Sequence, residues 1–277
     1  LNLKVNNLAT RSLTAVFFVI AMVGSALLGQ MVFSLLLFIV TVLSLNEFIS
    51  IVSNDTNQPS LWSTLIVGGV AYIILAGNAM GLIPAEGLVA IIPFIFVIFI
   101  LELWRNRANP FINIALSIAA VAYIALPFGF VMYFFDSSIL SGPYHYGIVL
   151  GFFVILWLND TGAYFVGSLI GKHKLFERVS PGKTWEGSFG GAVFALVTAW
   201  GLSFIFKQLD ELQWMIMALI IVISGTLGDL VESMLKRSLG MKDSGSVLPG
   251  HGGMLDRFDA VLLSAPFVFV YLALFCR

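Results

Sequence analysis

The sequence predicts an all-α, polytopic integral membrane protein with about nine transmembrane helices and a cytoplasmic N-terminus. Three observations carry that prediction. Hydrophobic residues fill 59% of the 277 positions and charged residues only 10%, whereas soluble domains carry roughly 25% charged residues. Mean hydropathy is +1.00, which suits lipid rather than water as the solvent. Apolar runs close to the roughly 20 residues that cross a bilayer recur along the chain, separated by short polar links.

A window of about 19 residues places spans near 12–28, 31–53, 61–78, 85–103, 111–135, 146–170, 187–206, 212–235 and 257–275. The first follows Lys4 and Arg11 as a signal peptide would, but similar runs downstream predict a retained span. Turn chemistry punctuates the links: Asn57-Gln58-Pro59 before the third span, Asn109-Pro110 before the fifth and Ser141-Gly142-Pro143 before the sixth. Gly187 and Gly191, four residues apart at the start of the seventh, permit close helix packing. The links leave no room for a soluble domain. The spans divide into an N-terminal three-helix region (1–83), a middle two-helix region (84–140) and a C-terminal four-helix region (141–277).

Orientation follows from the 14 Lys and Arg residues. With the N-terminus inside, cytoplasmic segments hold Lys4, Arg11, Arg105, Arg107, Lys172, Lys174, Arg178, Lys183, Lys236, Arg237, Lys242 and Arg257. The far side keeps only Lys207 and Arg277. Twelve against two is a strong positive-inside bias. The net charge of −1 excludes a nucleic-acid binder that depends on bulk positive charge. Cys276 is the only cysteine, so internal disulfides and cysteine-based metal sites are excluded as well.

Ionisable residues are sparse up to residue 158 and concentrate at 159–186 and 229–259. At the end of the eighth span Asp229, Glu232, Ser233 and Lys236 fall at i, i+3, i+4 and i+7, within one stripe of a helix. Each charge at membrane depth costs about 2.5–3.5 kcal/mol, so the stripe should face a polar cavity. The plainer alternative is a structural Glu232–Lys236 ion pair near the interface. Asp256 and Asp259 lie one turn apart at the start of the ninth span. Opposed to Asp229 and Glu232, they make an all-oxygen site for Mg²⁺ bridging substrate phosphates. Gly250, Gly252 and Gly253 let backbone N–H groups approach a phosphate, aided by the helix N-terminus, and His251 between them can donate to a phosphate oxygen. The competing view is a tight turn with Asp256 as a first-turn helix stabiliser.

Asp160, in Asn159-Asp160-Thr161-Gly162-Ala163-Tyr164, is a lone carboxylate inside the sixth span; it points to a functional cavity or to a capped helix break. The basic segment 172–187 holds Gly182-Lys183-Thr184, but Glu177 stands where a phosphate-binding P-loop needs glycine, and no strand is expected before it. Lys183 and nearby amides remain able to hold a polyphosphate, with Trp185 stacking on a base or anchoring the interface. His145 and His173 show no metal-ligand pattern. Glu47 and Glu102 sit near the ends of early spans without a local partner, capping an interface or lining a cavity.

The residues Ser233-Met234-Leu235-Lys236-Arg237, Lys242-Asp243, Leu248-Pro249-Gly250-His251-Gly252-Gly253 and Asp256-Arg257-Phe258-Asp259 resemble the signature of phosphatidate cytidylyltransferases, also called CDP-diacylglycerol synthases. Asn159 to Tyr164 and Ser180 to Gly187 resemble that family too. At Gly182 the sequence departs from the basic residue the family often carries. The resemblance covers the C-terminal half in motif detail and the N-terminal half only in its being polytopic.

The resemblance implies transfer of the cytidylyl group of CTP to phosphatidic acid in the cytoplasmic (inner) membrane, with Mg²⁺ required and the active site facing the cytoplasm. It implies that Asp229 and Asp256 hold the cation, with Glu232, Asp259 and Asp160 as further candidates and a second cation allowed. Lys183, Lys236, Arg237, Lys242 and Arg257 would screen phosphate charge, and Ser180, Thr184, His251, Gly252 and Gly253 would contact the nucleotide. A homodimer through the middle region is implied as well. Two other activities share these features: a CTP-dependent lipid kinase, which would release CDP, and a cation-coupled transporter, which would not need the Gly-rich and Lys-rich loops.

Overall fold

A computed structural model describes residues 16–135, 146–241, 244–245 and 252–276. The predicted spans are helical. They are α1 (Val16–Leu28), α2 (Gln30–Val52), α3 (Leu61–Ala79), α4 (Ile91–Glu102) entered through a 3₁₀ turn at Ala85–Ala90, α5 (Pro110–Ala120), α6 (Leu126–Val131), α7 (Gly147–Ile170), α8 (Trp185–Ile205), α9 (Glu211–Ser238) and α10 (Leu255–Phe275). The fifth predicted span is the run α5, a π-helical turn at Val121–Ala125, α6 and a 3₁₀ turn at Met132–Phe135. Among the described residues eight segments are long and apolar enough to cross a membrane, and α1 is a shorter apolar helix. The chain forms two compact units, Leu1–Met132 with Leu239–Phe258, and Tyr133–Ser238 with Asp259–Arg277.

In the first unit α3 and α4–α6 pack around Val67, Ala71, Ile98, Ile114, Val121 and Ala125, and α2 packs on α3, α5 and the π-turn. The π-turn has a local cause. Pro127 has no N–H to offer Tyr123, and Leu126 donates instead to Val121, five residues back. Two polar contacts tie this unit together: Tyr72 donates to the Ser34 carbonyl at 2.8 Å, and the Asn113 amide donates to Glu102 at 2.9 Å. Glu102 also pairs with Arg105 at 2.7 Å. Such pairing is what a low-dielectric surrounding demands of a buried carboxylate.

In the second unit α7 lies along α8, and α9 packs on both. Small residues set that contact: Gly191 meets Asn159 and Gly187 meets the Ala163 carbonyl, so a side chain at either would strike the facing backbone. Trp214 is fully buried and donates its indole N–H to the Phe206 carbonyl at 3.1 Å. Outward positions such as Phe165, Leu169, Val193 and Phe204 are large, apolar and exposed, as a lipid-facing surface requires.

One expectation is corrected. The segment between α7 and α8 is not a plain loop but an antiparallel hairpin, β1 (Lys174–Phe176) with β2 (Ser180–Thr184), in the register Lys174 opposite Thr184 and Phe176 opposite Ser180. Strands this short and polar leave no periodic signal. Gly182-Lys183-Thr184 lies within β2 itself, so it is no strand-to-helix phosphate loop. Pro181 is tolerated because each strand of a two-stranded ribbon has a free edge.

Candidate active site

Four charged side chains from four elements of the second unit lie within electrostatic range of one another. Lys183 comes from β2, Asp160 from α7, Asp229 from α9 and Asp259 from α10. Lys183 Nζ lies 2.5 Å from Asp229 Oδ2. Asp160 and Asp259 each interact electrostatically with Asp229 and with Lys183.

Close backbone approach makes this possible. A side chain at Gly228 would sit 2.5 Å from the Asp259 carbonyl oxygen, so only glycine lets α9 and α10 bring Asp229 beside Asp259. The remaining contacts orient the carboxylates: Ser233 donates to Asp229 at 3.2 Å, the Asn159 amide to Asp160 at 3.3 Å, and the Ala260 N–H to Asp259 at 2.7 Å.

Three carboxylates thus face one ammonium among apolar helices. Asp160 is exposed and the other three are half-buried, so the cluster is accessible rather than sealed. Its surplus of anionic oxygen suits a hard divalent cation. Among the described residues no three Asp, Glu, His or Cys side chains converge closely enough to enclose a metal unaided.

Asp256 is organised within the first unit. Its carboxylate accepts the Ser244 N–H at 3.1 Å and the Gly253 N–H at 2.9 Å. Gly252 adopts φ +82°, a conformation that favours glycine. Glu47 of α2 is buried beneath this segment; it accepts the Met254 N–H at 2.7 Å, the Leu255 N–H at 3.2 Å and the Ser244 hydroxyl.

The other predicted residues divide. Glu232, 1% exposed, pairs with Lys236 at 2.7 Å, which is the structural alternative the spacing allowed. Arg237 is exposed in the last turn of α9, where positive charge complements the helix dipole. Arg257 is exposed in the first turn of α10, and Ser180 is half-buried at the start of β2. Thr184 is buried and caps α8, its hydroxyl accepting the Gly187 N–H at 3.1 Å. Gly252 and Gly253 flank Asp256 as expected, whereas Lys242 and His251 lie outside the described residues.

Sequence reasoning left Glu47 without a partner and did not single out Ser244 or Glu186. Glu186 accepts the Lys172 and His173 N–H groups and pairs with His173 Nδ1 at 2.5 Å, closing the hairpin onto α8 and giving His173 a structural role. For Glu47 the available signal was a carboxylate inside an apolar span with nothing local to neutralise it. Its partners stand about 200 positions later, where no periodicity reaches.

The cytidylyltransferase family model matches residues 9–275. A phosphatidate cytidylyltransferase of Staphylococcus epidermidis is similar at 35% identity over 95% of this chain and 98% of its own length. Proteins of the same description from Staphylococcus saprophyticus and Staphylococcus aureus are each 33% identical over the same shares.

Proposed function

The chain belongs to the cytidylyltransferase family, and we infer from this that it transfers the cytidylyl group of CTP to phosphatidate, giving CDP-diacylglycerol and pyrophosphate. An oxygen of the lipid phosphate forms a bond to the α-phosphorus. The bond from that phosphorus to the oxygen bridging to the β-phosphorus breaks, and pyrophosphate leaves with the electron pair. The phosphate monoester has a second pKa near 6, by analogy with phosphorylated side chains, so the nucleophile is already anionic and needs no strong base. The kinase and transporter readings find no support in the relatives.

Bringing an anion to a polyanion is chiefly an electrostatic task. The cluster of Asp160, Asp229 and Asp259 around Lys183 carries the assignment of the site, since it joins surplus carboxylate to an ammonium at an accessible point among apolar helices. We assign Asp229 to Mg²⁺, with Asp160 and Asp259 as direct or water-bridged partners. Asp256 is assigned to the cation on the sequence motif. The bound ion would neutralise phosphate charge and orient the nucleotide. Lys183 screens phosphate charge from the hairpin side, and Arg237 and Arg257 attract the nucleotide. Glu232 fixes the Lys236 ammonium rather than holding metal.

The chain is a membrane protein, and its bacterial relatives suggest the cell membrane. The distribution of Lys and Arg supports a site on the cytoplasmic side. A homodimer through residues 84–140 is proposed on the family resemblance alone.

The deciding experiment uses purified protein in mixed micelles with phosphatidate, Mg²⁺ and CTP labelled on the α-phosphorus. Label in the lipid with stoichiometric pyrophosphate is expected. Release of CDP without lipid labelling would establish the kinase instead.

A further inference from the structure

We propose that Glu47 is a positioning residue for the reaction, holding in place from α2 the segment that presents Asp256. This rests on the assignment of Asp256 to the site. The geometry is specific. Glu47 is 4% exposed, and its three partners on this segment are all donors: the Ser244 hydroxyl, the Met254 N–H at 2.7 Å and the Leu255 N–H at 3.2 Å. Three donors directed at one side chain match the acceptor oxygens of a carboxylate. Met254 and Leu255 supply N–H groups at the start of α10, where the helix offers no acceptor of its own. Glu47 therefore caps α10 from about 200 positions upstream.

The link to Asp256 runs through Ser244 and Gly253. Ser244 donates its hydroxyl to Glu47 and its N–H to Asp256 at 3.1 Å. Gly253 donates to the same Asp256 oxygen at 2.9 Å, and a side chain there would overlap the Glu47 carboxylate and the Ser244 hydroxyl. The two backbone donors that aim the Asp256 carboxylate thus belong to residues pressed against Glu47. Nothing else described in α2 reaches this segment with a charged side chain. The residue serves a purpose no local sequence feature shows: it fixes the rotational setting of Asp256 without touching substrate.

The test compares Glu47→Gln, Glu47→Asp and Ser244→Ala with Asp256→Asn and Asp256→Glu, in detergent, by kcat, KM for each substrate, and the Mg²⁺ concentration for half-maximal rate. Glu47→Gln should lower kcat about 10–100-fold and raise the Mg²⁺ requirement, leaving KM for phosphatidate within about twofold; Glu47→Asp should recover part of the loss. In the Asp256→Glu background, Glu47→Gln should add little, since both changes disturb one carboxylate. If Glu47→Gln does not fold, Ser244→Ala carries the test, expected to show a smaller loss of the same kind. Wild-type kcat in the Glu47 and Ser244 variants alongside an inactive Asp256→Asn overturns the inference alone, as do losses that multiply in the double variant. Full activity in Asp256→Asn overturns the assignment of Asp256 and the inference with it.

Discussion

Lys183 in β2 and Asp229 in α9 form an ion pair at 2.5 Å. The pair ties the hairpin to the helix that carries the candidate metal carboxylate, so the register of two very short strands sets where the Lys183 charge stands. Both side chains are partly exposed, at 27% and 35%, which leaves the pair open to exchange with a polyanionic ligand.

Lys183→Met should therefore affect catalysis far more than folding. We expect kcat to fall about 10²–10³-fold, the usual cost of losing one preorganised electrostatic contact, with a stability change below about 1 kcal/mol because the pair is solvated. Rates of CDP-diacylglycerol formation and thermal unfolding in detergent check the two halves. Comparable rates in the variant and wild type would remove Lys183 from the site.

Asp229→Asn and Asp259→Asn should each raise the Mg²⁺ concentration for half-maximal activity by about tenfold or more. Chelation should abolish turnover in wild type, and added Mg²⁺ should restore it. An unchanged Mg²⁺ titration in both variants would falsify the cluster as the place where the cation acts.

Gly228 and Gly182 make a matched pair of controls. Alanine at 228 meets the Asp259 carbonyl and the α10 backbone, whereas nothing lies within 4 Å of a side chain at 182. Gly228→Ala should cost about 1–3 kcal/mol, as overpacking does, and depress activity by parting Asp229 from Asp259. Gly182→Ala should be silent in both assays.

Thr184 separates a cap from a ligand contact. Its hydroxyl accepts the Gly187 N–H at 3.1 Å. Thr184→Ala should lower stability by about 1 kcal/mol, and Thr184→Ser should restore it. A rise in KM for CTP in Thr184→Ala, without loss of stability, would point to direct nucleotide contact instead.

The orientation is testable because Cys276 is the only cysteine. In a Cys276→Ser background, Gly182→Cys should react with a membrane-impermeant maleimide added from the cytoplasmic face. Labelling from the opposite face alone would reverse the assigned topology.

Much of this protein was legible in its sequence because the bilayer imposes a one-dimensional rule. A segment that cannot hydrogen-bond to its surroundings must be helical and about 20 apolar residues long, and that rule located α2 to α10 without tertiary information. The same rule marked Asp160, Asp229, Glu232, Asp256 and Asp259 as candidates, since intramembrane charge needs a reason, and the spacing of residues 233–259 pointed to the family. Tertiary structure alone decided which charge meets which: that Glu232 belongs to Lys236, that Lys183 reaches Asp229, and that Glu47 holds the Asp256 segment. It also decided that residues 174–184 form a hairpin. The Glu232–Lys236 pair was one of two readings its spacing allowed, whereas the others rest on close backbone approach at glycines and on contacts between residues up to 208 positions apart. Side-chain pairing at such separations depends on distance in space, and hydropathy along the chain carries no record of it.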